Sequence, residues 1–279
     1  MTLAKIFLTP AARRRIRERR RSRPFRRLLR PTDVFLVGHP KSGNTWLAYM
    51  LAILLSKDRR NQVTLSNVGQ YVPFVHGQDL RIAEYADLPS PRIFRNESPG
   101  FPELYPKIIY LVRDPRAVLV SFYHMYRVMH NDSTMTLPAF LEAYLATEGC
   151  FKEWNAGLVR WDRQVLAWTT RAKHDQRVSV VKYEELVENR QAVLQKIAHF
   201  AGIPCTDEDC VQAVGRGDFH AMQQVEEQHG AEAYPGEIGK RGRFVRRGEI
   251  DGWRDEMDDS LVQRIVHEFT PAMKACGYS

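Results

Sequence analysis

One short stretch constrains this chain more than any other. Asp33-Val-Phe-Leu-Val-Gly38 is an apolar run ending in glycine, and it passes directly into Gly38-His-Pro-Lys-Ser-Gly43. Beyond Gly43, Trp46, Leu47, Met50, Leu51 and Leu54 fall at helical spacing, so the periodicity predicts a helix over Asn44–Ser56. An apolar run without polar alternation reads as a strand buried on both faces, hence a parallel one. A glycine-bounded turn between such a strand and a helix directs backbone N–H groups and a positive helix end at one point, where a phosphate can sit. Taken alone, the same residues also suit a plain glycine turn.

The loop has the two glycines of a P-loop but not its usual cation placement. A nucleoside triphosphatase sets Lys-Ser/Thr directly after the second glycine. Here Asn44-Thr45 stand there, and the lysine lies inside the loop at Lys41. Lys41 can reach the terminal groups of a bound anion, while no clear Mg²⁺ ligand remains.

Further strands are expected at Pro91–Arg95, Lys107–Val112 and Val178–Lys182. Helices are expected at Ala117–Arg127, led in by Pro115, at Trp154–Thr170, and at Glu188–Ala201, closed by Gly202 and Pro204. Strands alternating with helices predict an α/β fold, a P-loop-type doubly wound parallel sheet flanked by helices, as a single domain over 32–279. Ligands of such a sheet bind at the carboxyl ends of its strands.

Two more segments carry anion chemistry. In Arg113-Asp-Pro-Arg-Ala-Val-Leu-Val-Ser121 a strand end supplies a guanidinium, and Ser121 lies two turns along the next helix, facing back toward it. Such a pair suits a phosphate through charge-assisted hydrogen bonds, although Arg113 paired with Asp114 at the surface is the plain alternative. Arg246-Arg247-Gly248 can wrap a phosphate with side chains and a backbone amide, or be an ordinary basic turn.

Charge has to be read by region. Lys5 and eleven arginines against Glu18 put +11 into residues 1–30, so the other 249 residues carry −3 of the chain's +8. Residues 1–31 therefore read as an Arg-rich disordered tail, able to contact anionic lipid or nucleic acid. The longest apolar run, Leu47–Leu55, is about half a membrane span. No secretory pattern is visible, and Cys150, Cys205, Cys210 and Cys276 have no zinc or disulfide-framework spacing. A cytoplasmic, metal-free protein with free thiols is expected.

In this order the three anion segments resemble the PAPS-dependent sulfotransferase family of cytosolic and bacterial type (PAPS is 3′-phosphoadenosine-5′-phosphosulfate). Lesser matches are Phe122-Tyr123-His124, Trp154 to Trp161, Tyr183-Glu-Glu-Leu186, Phe219-His-Ala-Met222 and Gly277-Tyr278, so the likeness spans about residues 33–278. The resemblance implies that Lys41, Ser42, Gly43, Asn44 and Thr45 hold the 5′-phosphosulfate. It implies that Arg113, Ser121, Arg246, Arg247 and Gly248 hold the 3′-phosphate, and that Trp46, Tyr183 and Phe219 pack around the adenine.

Three features depart from the family pattern. Arg95-Asn96-Glu97 stands where many members have Lys-Thr/Ser-His with a histidine base. Glu97 thus takes the base position, as in the similar carbohydrate-type enzymes, with Lys41 and Arg95 as catalytic cations; His39, His76 and His124 are reserves. Asp251-Gly252 replaces the usual Gly-Asp before the tryptophan, and the family's dimer segment is not recognisable around Arg254–Val262. The oligomeric state is open, and the acceptor is a small molecule or a carbohydrate. Two other readings share these residues: a P-loop kinase, argued against by the displaced lysine, and a nucleic-acid or membrane-surface binding protein acting through the tail.

Overall fold

The computed structural model describes residues 22–57, 62–75, 79–149, 158–229 and 245–279. Its sheet has four parallel strands, β1 (Val34–Gly38), β2 (Ile93–Asn96), β3 (Lys107–Val112) and β4 (Val178–Lys182), in the order β2-β1-β3-β4. The described helices are α1 (residues 22–28), α2 (Asn44–Ser56), α3 (Pro115–His130), α4 (Leu137–Ala146) and α5 (Trp161–Ala172). They continue with α6 (Tyr183–Glu188), α7 (Arg190–Ala201), α8 (Asp207–Arg216), α9 (Phe219–His229) and α10 (Asp259–Cys276).

Successive strand residues alternate between two apolar layers, as the pleat requires. Phe35, Val37, Phe94, Ile108, Tyr110, Val112 and Val178 join the layer built with α3, α4, α5 and α10. Val34, Leu36, Ile93, Ile109, Leu111 and Val181 join the layer built with α2, α7 and α8. Burial on both faces is why β1 and β3 read as unbroken apolar runs, whereas the edge strand β4 leaves Val180 exposed. The doubly wound parallel sheet is therefore as expected.

The element bounds differ from expectation at three places. Arg92 precedes β2 because its guanidinium pairs with Asp33 in the interior, Nη2–Oδ2 2.6 Å and Nε–Oδ1 2.8 Å. Helix α5 begins at Trp161 rather than Trp154, since Arg160 is extended at φ −49°, ψ 142°; residues 150–157 lie outside the described residues. The helix expected over Glu188–Ala201 begins at Arg190, because Asn189, with φ −127°, ψ 46°, parts it from α6, which ends at Glu188.

Residues 22–30, assigned from sequence to the Arg-rich tail, pack onto the body. Phe25 is fully buried, with its ring 5.5 Å from Phe101 and 5.9 Å from Tyr105, while Arg23, Arg26 and Arg27 face solvent. Arg30 donates from Nη1 to the Leu88 carbonyl at 2.7 Å.

The wiring of the sheet locates the crevice. From β1 the chain crosses to β2 on one side; from β3 it crosses to β4 on the other. Their neighbouring carboxyl ends, paired as Gly38↔Leu111, form the switch point where α/β sheets bind ligands.

Candidate active site

The loop after β1 turns on two left-handed residues, Lys41 (φ 73°) and Gly43 (φ 100°). Any side chain at Gly43 would place its Cβ 2.8 Å from the Tyr183 ring, so only glycine fits. The Ser42 N–H donates to the His39 carbonyl at 3.1 Å. The buried Asn44 amide reaches the carbonyls of Gly38 (3.2 Å) and His39 (3.1 Å) and a carboxylate oxygen of Glu97 (3.4 Å). Asn44, expected from sequence to be a donor ligand, braces the loop and reaches Glu97. Thr45 accepts from Nη1 of Arg95 at 2.6 Å.

Arg113 leaves the end of β3 and binds across the crevice. It donates to the carbonyls of Lys41 (3.4 Å) and Glu249 (3.1 Å), with its guanidinium 4.0 Å over the Tyr183 ring. Tyr183 is tied in turn to the Gly248 carbonyl at 3.2 Å. Next to Arg113, Glu184 accepts from the Asp114 N–H at 3.1 Å and from the Tyr278 hydroxyl at 2.7 Å.

The arm of residues 245–249 closes the other wall. Gly248 has φ 71°, and a Cβ there would lie 2.3 Å from the Phe219 ring. Arg247 pairs with Asp255 at 2.7 Å, and Arg246 with Glu256 at 2.5 Å. Trp46 donates to the Gly217 carbonyl at 2.6 Å and lies 5.5 Å from Tyr183, with the Arg190 guanidinium 5.1 Å above it.

These pieces line one cavity of about 370 Å³. Lys41, Gly43, Asn44, Thr45, Trp46, Arg95, Glu97, Arg113, Ser121, Tyr183, Phe219, Arg246, Arg247 and Gly248 all contribute to its wall. Of the residues expected from sequence, Ser42 alone lies behind the wall, fully buried with its hydroxyl unpartnered. Trp46, Tyr183, Phe219 and Arg190 form an aromatic and cationic end. Lys41, Arg95 and Glu97 face Phe74, Val120, Met125 and Met129 at the other, and Lys41 Nζ lies 3.3 Å from the Met125 sulfur.

Enclosure changes the titration of Lys41 and Glu97. Burial pulls Lys41 down to about 8; Glu97 opposes the change, and Arg113 and Arg246 add to it. Burial pushes Glu97 above the usual carboxylate range, against the pull of Arg95, the Asn44 hydrogen bond and Lys41. The reserve histidines stand elsewhere. His39 is buried against the Pro40 carbonyl and the Tyr144 hydroxyl, and burial lowers it to about 4. His124 is engaged with Glu256, and His76 lies outside the described residues. Among the described residues no group of His, Cys, Asp and Glu is placed to hold a metal, and no helix is long and apolar enough to cross a membrane.

Sequence reasoning missed Arg190 and Glu256. Arg190 carried a weak signal, as a cation opening a helix shortly after Tyr183. Glu256 carried none, because only the fold brings it to Arg246 and His124.

A parallel sheet with a glycine-bounded loop after its first strand places the molecule in the P-loop-type α/β class. Within that class the chain belongs to the sulfotransferase family: the model of the sulfotransferase domain matches residues 31–277. An amine sulfotransferase of Oryctolagus cuniculus is 26% identical over 88% of this chain and 82% of its own length. Cytosolic sulfotransferase 12 of Arabidopsis thaliana is 26% identical over 88% of this chain and 78% of its own. The crystal structure of mouse sulfotransferase SULT7A1 complexed with PAP superposes with a TM-score of 0.63 at 23% identity, covering 88% of this chain and 84% of that one. Membership sets aside the kinase reading.

Proposed function

We propose that the crevice binds PAPS through the residues above and that the chain transfers its sulfuryl group to an acceptor hydroxyl or amine, releasing adenosine 3′,5′-bisphosphate (PAP). One observation carries the site assignment. Lys41, Arg95, Arg113, Arg190, Arg246 and Arg247, drawn from five separate segments, all stand in the cavity wall. Cations gathered from distant parts of the chain around one space, with only Glu97 and Glu249 against them in that wall, call for an anion with several acceptor groups.

In this reading Lys41, Arg95 and the loop amides stabilise the charge that grows on the sulfuryl oxygens and the departing phosphate. Glu97, held by Asn44, takes the acceptor proton, and its raised affinity for protons suits it to that work near neutral pH. Arg113, Ser121 and the arm carry the 3′-phosphate, while Trp46, Tyr183 and Phe219 flank the base. The apolar wall of Phe74, Val120, Met125 and Met129 supports a small apolar acceptor over a carbohydrate.

Calorimetric titration with PAP, against AMP and in EDTA, tests the assignment. Binding that requires the 3′-phosphate supports it; equal binding of the two, or none, overturns it. Residues 1–21 lie outside the described residues, and their proposed contact with anionic surfaces is tested separately. Steeply salt-dependent binding to anionic vesicles, lost on deleting them, is the expected result.

A further inference from the structure

The Glu256 carboxylate bridges two walls of the crevice. One oxygen accepts from Nη1 of Arg246 on the arm at 2.5 Å, and the other meets Nε2 of His124 on α3. His124 follows Ser121 by one turn and precedes Met125, both in the cavity wall. Glu256 is itself fixed at the backbone. Its N–H donates to the Trp253 carbonyl at 3.1 Å, and the buried Trp253 ring lies 4.3 Å beneath the Arg116 guanidinium.

Apart from the Arg247 side chain on Asp255, the arm's other ties hold its backbone. The Val245 N–H donates to Glu226 at 3.0 Å, Gln223 reaches the Val245 and Arg246 carbonyls, and Tyr183 reaches the Gly248 carbonyl. Glu256 instead holds the side chain of Arg246. A guanidinium has five N–H groups in a rigid fork, so Nη1 on Glu256 leaves the Nε–Nη2 edge for a second anion.

We infer that Glu256, pinned by His124, is a positioning residue that holds the Arg246 guanidinium ready for the donor's second phosphate. The inference rests on the reading of the crevice as a PAPS site. An opposing effect has to be weighed: a carboxylate near a phosphate repels it. Here both carboxylate oxygens are engaged, one by Arg246 and one by His124, and Glu256 stands outside the cavity wall. Releasing Arg246 would restore the rotamer freedom of a long side chain, which opposes binding by about tenfold.

PAP and AMP are titrated into the full-length protein, E256Q and E256D, with the melting temperature of each followed alongside. The expected result is about tenfold weaker PAP binding by E256Q with AMP unchanged, and partial recovery in E256D, which keeps the charge. E256Q binding PAP as tightly as the parent, or more tightly, overturns the role of Glu256 while leaving the PAPS site standing. Equal losses for PAP and AMP also overturn it, since they mark a general distortion. A parent protein that does not prefer PAP over AMP removes the site reading and the inference together.

Discussion

Lys41 and Glu97 share an enclosure that favours neither charge, and their opposite displacements predict the pH behaviour of the enzyme. As the base, Glu97 has to be ionised, so kcat/KM for PAPS should fall as pH drops through a value above the usual carboxylate range. As the cation, Lys41 has to be protonated, so kcat/KM should fall again as pH rises through about 8. Arginine keeps its charge throughout, and in Lys41→Arg the alkaline limb should disappear whatever the residual rate. Lys41→Ala should abolish turnover while largely sparing PAP binding; near-normal kcat in that variant would remove Lys41 from the sulfuryl group. Glu97→Gln should lower kcat at least ~10²-fold, and a loss under threefold would remove Glu97 as the base. Both residues were legible from their place in the pattern. Their titration was not, because it depends on Arg95, Arg113 and Arg246, which come from distant parts of the chain.

At the scale of elements, β1, β3 and α2 follow directly from apolar runs and helical spacing, since each buries what its pattern announces. Where bounds shifted, a long-range partner or a single backbone angle decided. Arg92 stops short of β2 to meet Asp33, and Asn189 parts α6 from α7. The arm depends on a backbone conformation that sequence shows only as a glycine. Gly248→Ala introduces left-handed strain of about 1–2 kcal/mol. It also drives a methyl group into Phe219. Weakened PAP binding with an unchanged far-UV circular dichroism spectrum is the expected outcome; unchanged affinity would show that the arm does not touch the nucleotide.

For the whole molecule, the sheet with two covered faces was readable from the alternation of strands and helices, but the start of the packed body was not. Arginine density around residues 23–27 conceals Phe25, whose burial depends on Phe101 and Tyr105 far along the chain. Phe25→Ala should cost about 3–5 kcal/mol, as a large aromatic lost from a core does. Chemical denaturation measures it, and a loss below about 1 kcal/mol would return residues 22–30 to the tail. Occupancy of the crevice should act on the same scale. PAP at a hundred times its Kd should add about 2.7 kcal/mol of stability, seen as a rise in Tm that AMP at equal concentration does not match.

In the proposed donor site, the pairing of Gly38 with Leu111 works as a gauge block. The Lys41 loop and Arg113 issue from adjacent rungs of one hydrogen-bonded ladder, so their spacing follows the interstrand distance of about 4.8 Å. No surface loop sets it. The acceptor wall is built largely from other stock: Phe74 from a loop, and Met125 and Met129 from further along α3. Grafting a different acceptor wall onto this frame should therefore change what is sulfated without recalibrating how the donor is held.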